Sequence, residues 1–294
     1  MSTNLLDHAR NEHSQWGEDG ILDKLFGLVG VERGYFVEFG AWDGIHFSNT
    51  YALYQKGWNG CYIEGNSTRF LELQKNVSAE RVANVNVFVT ISGENSFDSV
   101  MARVNAPHDI DLLSIDIDSD DLAIWRSISA YVSKVVIVEY NPTIPFDTEF
   151  ENPPGKNWGN SALSLVKLGE EKGYDLVCAT NTNLIFLRRD LNRRIGLPVI
   201  DLNAIGNKTR YFWGYDGALL RSDGSGARCD EVFYLPWGKS VGFQPLPAFL
   251  RTYADRRSAT SIARVLYTAL TSFVMRPVST LRFVGEALGV RRRP

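Results

Sequence analysis

Short apolar runs alternate with longer segments whose apolar positions recur every three to four residues. The runs Tyr35–Phe39, Gly60–Glu64, Asn84–Val89, Asp111–Asp116 and Lys134–Glu139 predict five strands. The segments Asn49–Lys56, Ser67–Asn76, Ser96–Val104 and Asp121–Tyr131 have the spacing of helices. Strand and helix in alternation imply a parallel sheet with helices on both faces. The near-continuous apolarity of the runs agrees, since such strands are covered on both sides.

The pattern then changes. Asn160–Lys172 predicts a helix stopped at Gly173, and Tyr174–Ala179 and Leu184–Arg188 predict two strands joined only by Thr180-Asn181-Thr182-Asn183. So short a link demands a hairpin, because a parallel crossover needs a dozen residues or so. The expected fold is α/β: a doubly wound, mostly parallel seven-stranded sheet ending in an antiparallel hairpin. That ending is typical of class I methyltransferases rather than of dehydrogenases. Leu191–Gln244 is rich in aromatics, among them Tyr211, Phe212, Trp213 and Trp237, and reads as an irregular cap. Its rings suit stacking on a sugar or an aromatic group, or a place in the core.

Charge divides the chain where hydropathy does not. The 294 residues carry a net charge of −3, which gives no reason to expect nucleic acid. Beyond residue 245, however, nine arginines face only Asp255 and Glu286, a net +7 that leaves −10 on the remainder. Residues 1–245 are therefore expected to form the α/β domain with its cap, and 246–294 a basic helical tail. In that tail Ile262, Leu266, Ala269, Leu270 and Phe273 share one helical face, and Pro277 is expected to break the helix. Such a face packs on its own domain, on a second copy of the chain, or on an anionic membrane surface. Cys61, Cys178 and Cys229 have no metal-ligand spacing, and the first two read as core residues of a protein in a reducing, cytoplasmic compartment, at the inner face of the membrane if the tail binds lipid. The polar start from Met1 to Gln15 is unlike a secretory signal.

The candidate chemistry lies at the strand ends. Glu38, Gly40 and Gly44 follow the first predicted strand, and Glu64 ends the second about twenty-five residues later, the spacing of nucleotide-binding α/β folds. Glycines there allow close backbone approach to a ligand. Glu38 is placed to orient the loop or meet an ammonium group, and Glu64 to accept the hydroxyls of a ribose. Asp116, Asp118, Glu139 and Asn141 follow the fourth and fifth strands, at the sheet edge where ligands bind. They read either as hard oxygen ligands for Mg²⁺ or as polar loop residues. Asp116, Glu139 and His46 are the candidate catalytic bases.

Three segments, Ser14-Gln15-Trp16-Gly17-Glu18-Asp19-Gly20, Val37-Glu38-Phe39-Gly40-Ala41-Trp42-Asp43-Gly44 with Ser48-Asn49-Thr50, and Leu113-Ser114-Ile115-Asp116-Ile117-Asp118, together resemble the FkbM-type S-adenosylmethionine-dependent methyltransferases. The similarity runs from about Gln15 to Asp190. Where that family usually reads Asp-Val-Glu-Gly, this chain has Asp116-Ile117-Asp118-Ser119. The resemblance implies S-adenosylmethionine as donor and extends its site to Gln15, Asp43, Asn49 and Asp116. From the residues alone, Ser14 also reads as the N-cap of a helix. The implied activity is O-methylation of a sugar or small-molecule hydroxyl. The competing classes are a non-catalytic module of the same fold in glycan assembly and a nicotinamide-dependent oxidoreductase. The latter lacks its third glycine after the first strand. No nucleic-acid partner is expected, and a homo-oligomer is compatible with the tail.

Overall fold

The computed structural model of the chain describes residues 4–205, 211–213 and 219–221, and the single positions 266, 270, 273, 274, 277 and 281. The chain divides into two compact units, Met1–Lys208 and Thr209–Pro294. The composition boundary at residue 245, Cys229 and the aromatics of the cap beyond Arg221 lie outside the described residues.

The first unit begins with a 3₁₀ turn, Leu5–His8, and helix α1, Glu18–Val29. There follow β1 Tyr35–Phe39, α2 Tyr51–Gln55, β2 Asn59–Ile63, α3 Ser67–Asn76, β3 Val82–Val85, α4 Phe97–Arg103, β4 Asp109–Ile115, α5 Asp121–Ser127 and β5 Val132–Glu139. Helix α6, Ala162–Glu171, leads into β6 Tyr174–Ala179 and β7 Asn183–Arg188. The sheet order is β3-β2-β1-β4-β5-β7-β6. Strands β1 to β5 pair in parallel, and β7 runs antiparallel to both β5 and β6. This is the class I methyltransferase fold, with the chain reversing its direction of growth between β1 and β4, where α/β sheets open a ligand crevice.

Burial explains the strands. Phe36, Val37 and Phe39 of β1 and Val135 to Val138 of β5 are fully buried, and one apolar cluster lies on each face of the sheet. Val37, Phe39, Leu113 and Val136 belong to one cluster and Phe36, Leu112, Val135 and Ile137 to the other, as the alternation of side chains along a strand requires. Cys61 and Cys178 are buried and free, and burial pushes both thiols up to about 12. The helices stop where the local chemistry dictates. Asn66 caps α3 by accepting from Thr68 N and Arg69 N, and Ser96 and Ser161 cap α4 and α6.

Several expectations are corrected. The expected third strand, Asn84–Val89, is displaced: β3 covers Val82–Val85, and Val87–Val89 leave the ladder. Ser14 is not an N-cap. Helix α1 starts three residues later behind Gly17, which has φ 96°, and Ser14 N donates instead to Asp19 Oδ2. The cap is partly regular, with α7 Arg189–Ile195, α8 Leu202–Ile205 and, in the second unit, an antiparallel pair β8 Tyr211–Trp213 and β9 Leu219–Arg221. Pro277 is in helical conformation, and residues 275–276 and 278–280, on which the expected break falls, lie outside the described residues. Among the described residues no helix is long and apolar enough to cross a membrane.

Candidate active site

The carboxyl ends of β1, β2 and β4 border a pocket of about 550 Å³. Phe39, Gly40 and Trp42 come from the end of β1, and Ile63, Glu64 and Gly65 from the end of β2. Arg69 of α3, Val87 to Val89, and the post-β4 segment from Asp116 to Asp120 complete the wall with Asn157.

The loop after β1 is built on Glu38. Its carboxylate is buried and accepts from Ser48 Oγ at 2.6 Å, Thr50 Oγ1 at 2.6 Å and Asn49 N at 2.9 Å. Burial raises the Glu38 pKa while these three donors pull it back. Glu38 thus orients the loop. Asn49 is buried too, its amide donating to Ser114 Oγ at 3.1 Å. Asp43 turns the loop, accepting from Ile45 N and His46 N. Close approach at the two glycines is to the chain itself. A Cβ on Gly40, which has φ 78°, would lie 1.5 Å from the Asp116 carbonyl oxygen, and one on Gly44 would lie 2.4 Å from Leu73 Cδ1.

Of the acids at the ends of β1 and β2, Glu64 lines the pocket and Glu38 does not. Glu64 is 9% exposed, and its oxygens accept from Trp42 N at 2.7 Å and Asn66 N at 2.6 Å. Each oxygen of a carboxylate has a second lone pair, so a diol can be accepted without breaking either bond. Phe88, 72% exposed, lines the same pocket, with its ring laid on Gly65 so closely that a Cβ there would come within 2.2 Å of Phe88 Cδ1. Trp42 has φ 51°, unusual for a bulky residue, and the Arg69 guanidinium stacks 4.5 Å from its ring centroid.

The post-β4 segment carries the carboxyl cluster. Asp121, buried, accepts from Ile117 N at 2.8 Å and Ser119 N at 3.0 Å and so shapes the turn, in which Asp118 has φ 60°. Asp116 and Glu139 form a hydrogen-bonded carboxyl pair. Desolvation, then repulsion from neighbouring carboxylates, raises both pKa values, Glu139 more than Asp116. The pair therefore shares a proton between its two carboxyl groups. Oxygens of Asp116, Asp118 and Glu139 lie within 4.8 Å of one another. Three hard oxygen donors at that spacing fit Mg²⁺. Asn141 is engaged elsewhere: Oδ1 accepts from Thr143 N at 2.8 Å and Thr143 Oγ1 at 2.6 Å, and Nδ2 donates to Trp158 O.

The structure thus brings Gly40, Glu64 and Asp116 to the pocket wall and places Glu38, Asp43, Gly44 and Asn49 in the frame beneath it. His46 is exposed, packs on Phe47 at 4.3 Å between ring centroids and is not among the residues that line the pocket. Gln15 is exposed on the N-terminal segment. There the acids of the motif do structural work. Glu18 accepts from Trp16 N, Thr180 Oγ1 and Asn183 Nδ2, and Asp19 Oδ2 gathers Glu12 N, His13 N and Ser14 N at 2.8 Å each. The sequence reading missed Trp42, Arg69 and Phe88. The signal for Phe88 was an apolar residue following an edge strand, which is also how a strand reads.

No family model matches the chain, nor does any curated protein. Solved structures of similar fold include the CurJ carbon methyltransferase, with 8% identity and a TM-score of 0.40, covering 58% of this chain and 52% of that one. A putative O-methyltransferase from Klebsiella pneumoniae has 11% identity and a TM-score of 0.39, over 63% and 89% of the two chains. The amino pentose methyltransferase CalS10 from Micromonospora echinaspora has 9% identity and a TM-score of 0.37, over 58% and 89%. The chain thus spans about half the length of the CurJ structure.

Proposed function

We propose that the chain is an S-adenosylmethionine-dependent methyltransferase of the FkbM type that methylates a hydroxyl of a sugar or small molecule. The observation that carries this reading is the meeting of Glu64, Phe88 and Asp116, the partner of Glu139, at one crevice of a class I methyltransferase sheet. Glu64 has free lone pairs for a ribose diol, and the exposed Phe88 ring offers a face to a purine. S-adenosylmethionine, when bound, supplies a methyl group made electrophilic by its sulfonium.

The chain's own part is to position the acceptor and take up its proton. A carboxylate whose pKa is raised is a stronger base than a free one, and Asp116 is such a group. A hydroxyl proton passed to Asp116 stays within the carboxyl pair. Asp116, Asp118 and Glu139 would also hold Mg²⁺, whose charge lowers the pKa of a bound hydroxyl. Trp42, His46 and Phe47 expose neighbouring rings, 6.4 Å and 4.3 Å between successive centroids, which suits stacking on a saccharide. Calorimetric titration with S-adenosylhomocysteine tests the reading: micromolar or tighter binding with one site per chain is expected, and no heat at millimolar ligand would refute it.

A further inference from the structure

Leu266, Leu270, Phe273, Val274, Pro277 and Leu281 are all helical and all exposed. The five apart from Pro277 range from 47% to 69% exposed. At about 100° per residue the six positions fall within an arc of about 100°. This is the width of a face that a helix ordinarily buries, yet its side chains are open. In the sequence Arg264, Arg276 and Arg282 fall off this stripe on the same count, and residues 246–294 carry nine arginines, no lysine and two acids.

From this combination we infer that the face is an interfacial membrane-binding helix and that its partner is an anionic lipid surface. An exposed apolar stripe with arginines beside it lies in the plane of a bilayer, apolar side down, with the guanidinium groups at the headgroups. Two such faces joined to each other fit less well, because that brings together two segments of +7 each. Anionic lipid covers the face and neutralises the charge at once. Burial of leucine and phenylalanine supplies a salt-insensitive part of the affinity, and the arginines a part that salt screens over about 8–10 Å.

Full-length protein is sedimented with vesicles of phosphatidylcholine alone and of phosphatidylcholine with phosphatidylglycerol, at low and high salt. Light scattering of the protein without lipid accompanies each assay. Binding is expected on the anionic vesicles, weaker in high salt and weaker on the neutral ones. The double variant Leu270→Glu, Phe273→Glu should bind at least about tenfold more weakly, with the melting temperature of the first unit unchanged. Absence of binding, equal binding to neutral vesicles, or undiminished binding by the double variant overturns the proposal. So does a dimer that the double variant dissociates and that shows no affinity for lipid, which would assign the face to a second copy.

Discussion

Trp42 N donates to Glu64 Oε2 at 2.7 Å, so the loop that follows β1 is fastened to the acid that ends β2. The same carboxylate holds Asn66 N. Glu64 therefore has two tasks, to fix the mouth of the pocket and to face what enters it, and they must be separated experimentally.

Glu64→Gln keeps one acceptor oxygen and removes the charge. Charge-assisted hydrogen bonds contribute about 1.5–3 kcal/mol each, and about 1.4 kcal/mol is a tenfold change. Affinity for S-adenosylhomocysteine should fall at least tenfold by calorimetry. A folded variant with unaltered affinity would remove Glu64 from the donor site.

Phe88→Ala isolates recognition from folding. The ring is already largely in solvent, so its loss should leave the melting temperature within a degree or so. Aromatic pairing contributes about 0.5–1.5 kcal/mol beyond the area buried, so S-adenosylhomocysteine should bind several-fold more weakly. If affinity holds, the purine sits elsewhere.

The sheet was legible in the sequence because its strands are buried on both faces and read as continuous apolar runs. Tyr35–Phe39, Ser67–Asn76 and Tyr174–Ala179 emerge with the expected bounds. Edge strand β3 did not, because Val87-Phe88-Val89 is as apolar as a strand while lining a pocket. Among the acids, sequence spacing located Glu38 and Glu64 alike at strand ends. Only three-dimensional partners distinguish them, since Glu38 is enclosed by two hydroxyls and an N–H while Glu64 borders the pocket. Asn141 was legible as a residue at the end of β5, but not its Asx turn with Thr143.

The role of Glu38 gives a stability prediction. Glu38→Ala leaves the Ser48 and Thr50 hydroxyls and Asn49 N without their acceptor in a dry interior. An unsatisfied buried donor costs about 1–3 kcal/mol, so urea unfolding should show a loss of at least about 3 kcal/mol. A loss under about 1 kcal/mol would mean that water or a relaxed loop replaces the carboxylate.

The carboxyl pair makes stability depend on pH in a direction opposite to that of most acids. Asp116 and Glu139 have folded pKa values above their ordinary 3.8 and 4.5, so the native state binds more protons than the unfolded chain over that interval. Their contribution is complete below about pH 4 and is lost as pH rises through the raised pKa of Asp116, about 7, and beyond it through that of Glu139. The wild-type melting temperature should therefore fall from pH 5 to pH 9 more steeply than that of Glu139→Gln, which holds its neutral form throughout. Parallel profiles for the two proteins would show that the pair is not desolvated as its surroundings imply.

The same repulsion provides a test of Mg²⁺ binding. Asp118, Asp116 and Glu139 crowd their oxygens within 4.8 Å, and a divalent cation favours their ionised forms, the reverse of what burial does. Added Mg²⁺ should raise the melting temperature at pH 8, where loss of the shared proton is most costly, and by less at pH 5.5, where protons compete for the same oxygens. Asp118→Asn removes a charged ligand without entering the hydrogen-bonded pair, so it should abolish the Mg²⁺ effect, while the metal-free fall of stability with pH persists but becomes shallower, because one of the charges that repel the pair is gone. A wild-type melting temperature indifferent to millimolar Mg²⁺ at pH 8 would leave Asp116 and Glu139 as a proton-holding pair. Methyl transfer should then be unaffected by chelator.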